Sequence, residues 1–206
     1  MAADNVASPI SPDAENQASS VTPEVMAALV EALSGANRRR RQEASHTIAL
    51  VAAQDVNLVR PYVDELIDAL YRPEAQTRWE VLSTLSELAL VDAGMVEEAF
   101  DGAEASLFDE DSAIVRLAAF RFLIRLGASS PERSDKVWGI VDEAIQCYHG
   151  DPEYRDMLVA LSEFGKGSIS ETTRDALLTR IGFDADNGRG YVRIMSAEIV
   201  ANIKGA

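Results

Sequence analysis

Cysteine is nearly absent from this 206-residue chain, where Cys147 stands alone. That excludes an intramolecular disulfide framework and any cysteine-cluster metal site. Histidine is scarce too, with only His46 and His149, so zinc chemistry has almost no ligands to draw on. Aromatic residues make up 6% of the sequence, too few for the aromatic and β-branched pattern of a β-sandwich. Basic residues are outnumbered, 19 Lys and Arg against 34 Asp and Glu, giving a net charge of −15. A phosphate backbone or an anionic membrane asks for a net basic surface, so the composition argues against both as partners. No run approaches the ~18 apolar residues of a membrane-spanning helix. The first residues show neither the basic start nor the apolar stretch of a secretory signal, and a cytoplasmic location is expected. Dinucleotide-binding glycine fingerprints, P-loops and nucleophile elbows are missing as well.

What the chain does have is apolar residues, 47% of the total and rich in Ala, Leu and Val, which suits helices around a sizeable core. Residues 1–21 carry Pro9, Pro12 and several Ser, Asn and Ala but no Lys or Arg. They read as a disordered tail, with a repeat domain over residues 22–206. Order is expected to begin at Thr22, an N-cap candidate, with Pro23 in the first helical position and Glu24 at the positive end of the helix dipole.

From there the sequence repeats. Arg41 is followed by Ala44, Ile48 and Val51, Arg78 by Val81, Leu85 and Leu88, and Arg116 by Ala119, Leu123 and Leu126. Offsets of 3, 7 and 10 lie on one helix face. The next residue is small each time: Ala52, Ala89 and Gly127. The register continues at Tyr154, with Met157, Leu161, Phe164 and Gly165, and at Arg193, with Ser196, Val200 and Ile203. Arginine helices are therefore expected near residues 38–53, 75–90, 112–127, 152–165 and 190–204. Second amphipathic helices read over residues 61–72, 95–108, 134–148 and 170–181, and one over 23–33 precedes the first arginine. Gly- and Pro-containing pairs punctuate the joints, and no alternating Val/Ile/Thr run suggests a strand.

Two helices per 37–39 residues is the pattern of an α-solenoid. The stretches NLVRPYVDELIDAL (residues 57–70), DSAIVRLAA (111–119) and YVRIMSAE (191–198) resemble HEAT repeats. The resemblance to the HEAT/armadillo family implies an all-α fold, a right-handed α-α superhelix of about ten helices with half-repeats at both ends. It also implies that the recurring arginines are structural, each pairing with an acid in the adjacent turn. Glu74, Asp109 or Asp111, and Asp184 or Asp186, which precede Arg78, Arg116 and Arg193, are the acids in view. The basic run Arg38–Arg41 reads as a solvated helix start. Residues 184–188 (DADNG) open like a calcium loop but lack its later ligands, and read as a turn that caps the last helix. Trp138 falls in register with Phe100 at a core position, and core packing is also favoured for Trp79.

Charge is unevenly spread. No Lys or Arg lies between Trp79 and Val115, a window holding ten acids. Helical spacing places Glu97, Asp101 and Glu104 on one side of a second helix, and register extends that side to Asp142 and Asp64. The family resemblance implies that second helices line the concave surface. These five residues are therefore the expected binding face for a partner protein or basic peptide, left without local counter-charges by the cation-free window. The expected role is a non-enzymatic interaction scaffold with no cofactor and no metal. The alternatives are a HEAT-like enzyme of the glycosylase or lyase type, or a purely structural, oligomeric module.

Overall fold

The computed structural model describes residues 21–205, so the tail expected over residues 1–21 lies almost wholly outside the described residues. Among the described residues there are ten α-helices and no strand. They are α1 (Pro23–Ser34), α2 (Arg38–Gln54), α3 (Val63–Ala69), α4 (Ala75–Asp92), α5 (Phe100–Leu107), α6 (Ala113–Gly127), α7 (Pro131–Tyr148), α8 (Tyr154–Gly165), α9 (Glu171–Asn187) and α10 (Gly190–Gly205). Short 3-10 turns lead into α3 and α5. None of these helices is long and apolar enough to cross a membrane.

Local chemistry sets the helix starts. Thr22, Asn37, Ser112, Ser130 and Ser170 each accept a hydrogen bond from a backbone N–H in the first turn, and Pro23 and Pro131 open their helices. These caps satisfy donors that a helix leaves orphaned. The repeat register then decides which face is buried. Leu85, Leu123 and Leu161, equivalent in three successive repeats, are fully buried, as are Ile48, Val81, Ala119 and Met157 on the same stripe.

The arginine helices α2, α4, α6, α8 and α10 form one layer and α1, α3, α5, α7 and α9 the other. The arginine helices pack extensively on one another along the stack, whereas successive second helices meet only sparsely. A two-layer stack bends toward its closer-packed layer, because small per-repeat rotations accumulate around that side. The inner surface therefore belongs to the arginine helices. The acids expected to line the concave side lie on or beside the second helices, in the other layer.

Small residues let the layers approach. A Cβ built on Gly127, late in α6, would sit 2.4 Å from Val137 Cγ2 and 3.0 Å from Phe164 Cε2. Gly127→Ala is thus expected to destabilise by about 1–3 kcal/mol through overpacking. The same change at Gly139, which meets nothing within 4 Å, should stabilise by about 0.5–1 kcal/mol through helix propensity. Urea unfolding of the two variants checks the opposite signs.

Candidate functional site

The arginine positions are clasps between repeats. Arg41 donates from Nε to Glu74 Oε2 at 3.2 Å, from Nη2 to Glu74 Oε1, and from Nη1 to the Gly35 carbonyl at 2.8 Å. Arg78 Nη1 lies 2.7 Å from Asp109 Oδ2. Arg116 donates from Nε to Glu153 Oε1 at 3.0 Å and from Nη1 to the Asp109 carbonyl at 2.9 Å, and its Nη2 also meets Glu153. Each arginine therefore reaches forward to the acid that precedes the next arginine helix. The sequence suggested pairing with the acid ahead of its own helix, so the direction is corrected, and Glu153 joins the set.

These clasps hold their acids ionised. The hydrogen bond from Arg41 lowers the Glu74 pKa below the ordinary carboxylate range. Burial pushes Asp109 and Glu153 upward, but hydrogen bonds and charge from Arg78 and Arg116 outweigh it and both end lowered.

The fourth junction is different. Tyr154 occupies the arginine position and donates its phenol O–H to Asp184 Oδ2 at 3.1 Å. His149 Nε2 sits 2.9 Å from the same oxygen and 3.1 Å from Oδ1. Burial, then the negative charge of Asp184, raise the Tyr154 pKa far above its usual value, so the phenol stays a neutral donor. Asp184 lies inside the last turn of α9 rather than in a loop, and Gly188 supplies the C-cap. The expected turn over residues 184–188 thus begins only at its end. Among the described residues no group of three or more His, Cys, Asp or Glu could hold a metal ion. Arg193, the last arginine of the register, is exposed.

The five acids of the expected binding face divide. Glu97 bridges to Arg133 at 3.2 Å and to Lys136 at 3.5 Å, and Asp142 accepts from Arg180 with both oxygens, one of them at 2.7 Å. Asp64 and Asp101 are exposed and Glu104 is half-buried. No ion pair joins those three among the described residues. Elsewhere in the cation-free window, Glu80 meets His46, Glu87 meets Arg125 and Asp92 meets Arg60. The acids were expected to lack counter-charges. Five of the ten in the window, counting Asp109 on Arg78, meet a basic side chain, because the solenoid sets each repeat beside residues 31–39 positions away.

Sequence reasoning missed a groove along the arginine-helix layer. A pocket of about 200 Å3 lies between α4 and α6, with Trp79, Ile114, Leu117 and Ala118 on its walls. A second, of about 190 Å3 between α6 and α8, includes Val159, and Arg121 and Arg125 line both. Ile114 is 57% exposed and Val159 41%, and Leu90 and Ile194 on the same layer are exposed as well. Trp79 is half-buried, packed against the core on one side and open to the groove on the other. Ser86 Oγ, buried in the groove wall, has no hydrogen-bond partner. The available signal was scattered over three repeats: Ile114 at offset −2, Trp79 and Leu117 at +1 and Val159 at +5 of the register. It is weak, because single exposed apolar residues are common.

No family model and no curated protein matches the chain. Solved structures do. An engineered protein superposes with a TM-score of 0.72 at 17% identity, covering 94% of this chain and 90% of that one. A designed armadillo repeat protein in complex with the peptide (KR)4 gives 0.72 at 14% identity, covering 92% and 90%. Another designed armadillo repeat protein gives 0.70 at 14% identity, covering 88% and 83%. The fold is a HEAT/armadillo-type α-solenoid. In these terms the Arg–acid clasps are the inter-repeat joints of the solenoid and the groove is its inner surface.

Proposed function

We propose that this solenoid is a non-enzymatic scaffold that binds a partner protein or peptide, with apolar anchors seated in the inner groove. The observation that carries the reading is the row of apolar side chains open to the groove, Trp79, Ile114 and Val159, spanning three repeats of a −15 protein. Clustered exposed apolar surface marks interaction sites, and a repeat array offers it in an extended line. The net charge favours a partner with basic residues, because the protein's field steers cations toward it. A solved neighbour of the same fold is in complex with (KR)4, which agrees with a peptide of that character. Asp64, Asp101 and Glu104, free of ion pairs on the outer layer, add to the same field.

Panning the protein against a random-peptide library tests the reading. Recovered peptides are expected to combine Lys or Arg with apolar residues. The double variant Ile114→Asp/Val159→Asp should weaken them by tenfold or more, about 1.4 kcal/mol, with helical circular dichroism unchanged. Peptides that bind the double variant as tightly as the parent would move the site elsewhere. An Asp101→Lys variant measures the outer face separately, and a loss there alone would transfer the site to the acids.

A further inference from the structure

At three successive junctions the acid of the clasp is met by a guanidinium: Arg41 on Glu74, Arg78 on Asp109 and Arg116 on Glu153. At the fourth the acid persists and the arginine does not. Asp184 is buried, 7% exposed, and its direct partners are the neutral phenol of Tyr154 and the imidazole of His149, which carries charge only when protonated. A buried carboxylate without a permanent counter-ion is costly.

The space that a guanidinium would fill is open to solvent. A pocket of about 480 Å3 lies between α7 and α9, and Asp184, Tyr154 and His149 line it together with Ile145, Arg180 and Phe183. Arg180 lines the same pocket with its guanidinium held by both oxygens of Asp142. Phe183 stands 72% exposed at this pocket, an aromatic face of the kind on which guanidinium groups stack. His149 is half exposed and packs on the Tyr154 ring at 4.8 Å, so it can leave the carboxylate without disturbing the core.

We infer that this pocket binds the arginine side chain of a partner polypeptide, which supplies in trans the guanidinium that the fourth clasp lacks. The planar fork fits a carboxylate in two-point fashion, the geometry Arg41 uses in cis. Tyr154 donates to the same carboxylate from below, and Phe183 covers the guanidinium face. The site is separate from the inner groove, and neither depends on the other.

The test uses the full chain and nuclear magnetic resonance of the Tyr154 and His149 rings. Acetyl-arginine amide is the probe, with the citrulline amide as its neutral isostere, the lysine amide as the ammonium counterpart and free arginine as the small-molecule alternative. Expected is saturable binding of the arginine amide that shifts both rings, at least tenfold weaker binding of the citrulline amide and weaker binding of the lysine amide. Capped and free arginine should bind alike, and binding of free arginine alone would overturn the polypeptide assignment. Equal binding of citrulline, or no binding of any guanidinium, would overturn the site.

The decisive variant is Tyr154→Arg, which restores the repeat pattern. It should abolish binding while leaving the thermal midpoint unchanged or raised, a combination that misfolding cannot produce. Unchanged affinity in Tyr154→Arg would refute the proposal. Should that variant fail to fold, Phe183→Ala, on an exposed side chain, is the second measurement. It should weaken the arginine amide severalfold with full stability, and an unaltered affinity there counts against the inference.

Discussion

Replacing Glu74 by alanine is expected to cost about 3–5 kcal/mol, which is large for a protein of this size. The Arg41 side chain is 9% exposed and that of Glu74 4%. Removing the acid strands a guanidinium that cannot reach water, and the Gly35 carbonyl alone does not compensate it. The comparison that isolates the cause is the double variant Arg41→Met/Glu74→Leu. Apolar residues of similar volume often replace a buried pair at little cost, so the double variant should recover most of the loss. Chemical denaturation of the three proteins decides it, and a double variant as unstable as Glu74→Ala would assign the loss to packing.

The pH dependence has a defined sign. Glu74, Asp109 and Glu153 have folded pKa values below their ordinary ones. Their stabilisation is therefore complete above the unfolded carboxylate range, about 3.9 for Asp and 4.3 for Glu, and is lost as pH falls through the folded values. Acid unfolding should move to higher pH in Glu74→Ala only through its lower overall stability, with a smaller pH-dependent slope.

Leu123→Ala should be comparably severe, costing about 2–5 kcal/mol. Leu123 is fully buried in α6, with Leu85 and Leu161 at the equivalent positions of the repeats on either side. Truncation opens a cavity between α4 and α8, and a stack held by neighbour-to-neighbour contacts transmits that loss to both flanking interfaces. Urea unfolding monitored by circular dichroism measures it, and a cost below about 0.5 kcal/mol would contradict this packing.

The helices and their core stripe were legible in the sequence because a 3.6-residue period and a 37–39-residue period are both written in residue type. Ile48, Leu85, Leu123 and Leu161 could be placed in the core from spacing alone. The arginines were legible as structural, yet the direction of each clasp was not, since Arg41 has acids on both sides in sequence and only the stacking selects Glu74. The charge window failed for a related reason. Counting charges along residues 79–115 treats neighbours in sequence as neighbours in space. In a solenoid Glu97 lies beside Arg133 and Lys136, and Glu87 beside Arg125. The inner groove was hidden because Ile114 and Val159 are single apolar residues in different repeats and become a row only after stacking. Even the pocket beside Asp184 left a trace, in Tyr154 breaking an arginine register, which the sequence offered as a degraded repeat rather than as a vacancy.

The forward-reaching clasp also makes the joint between any two repeats interchangeable. The repeats of Arg78 and Arg116 each present an arginine on one side and an acid on the other, so excising one whole period would leave Arg41 facing Asp109 where it now faces Glu74. Duplicating a period would likewise create one new pair and strand no charge. Length can thus change in whole-repeat steps without redesign of the interior, while a change of a few residues would misalign every later joint. In such a chain the heritable unit of architecture is the repeat, and the first three junctions are standard fittings. The fourth, where Tyr154 meets Asp184, is the fitting that no longer matches.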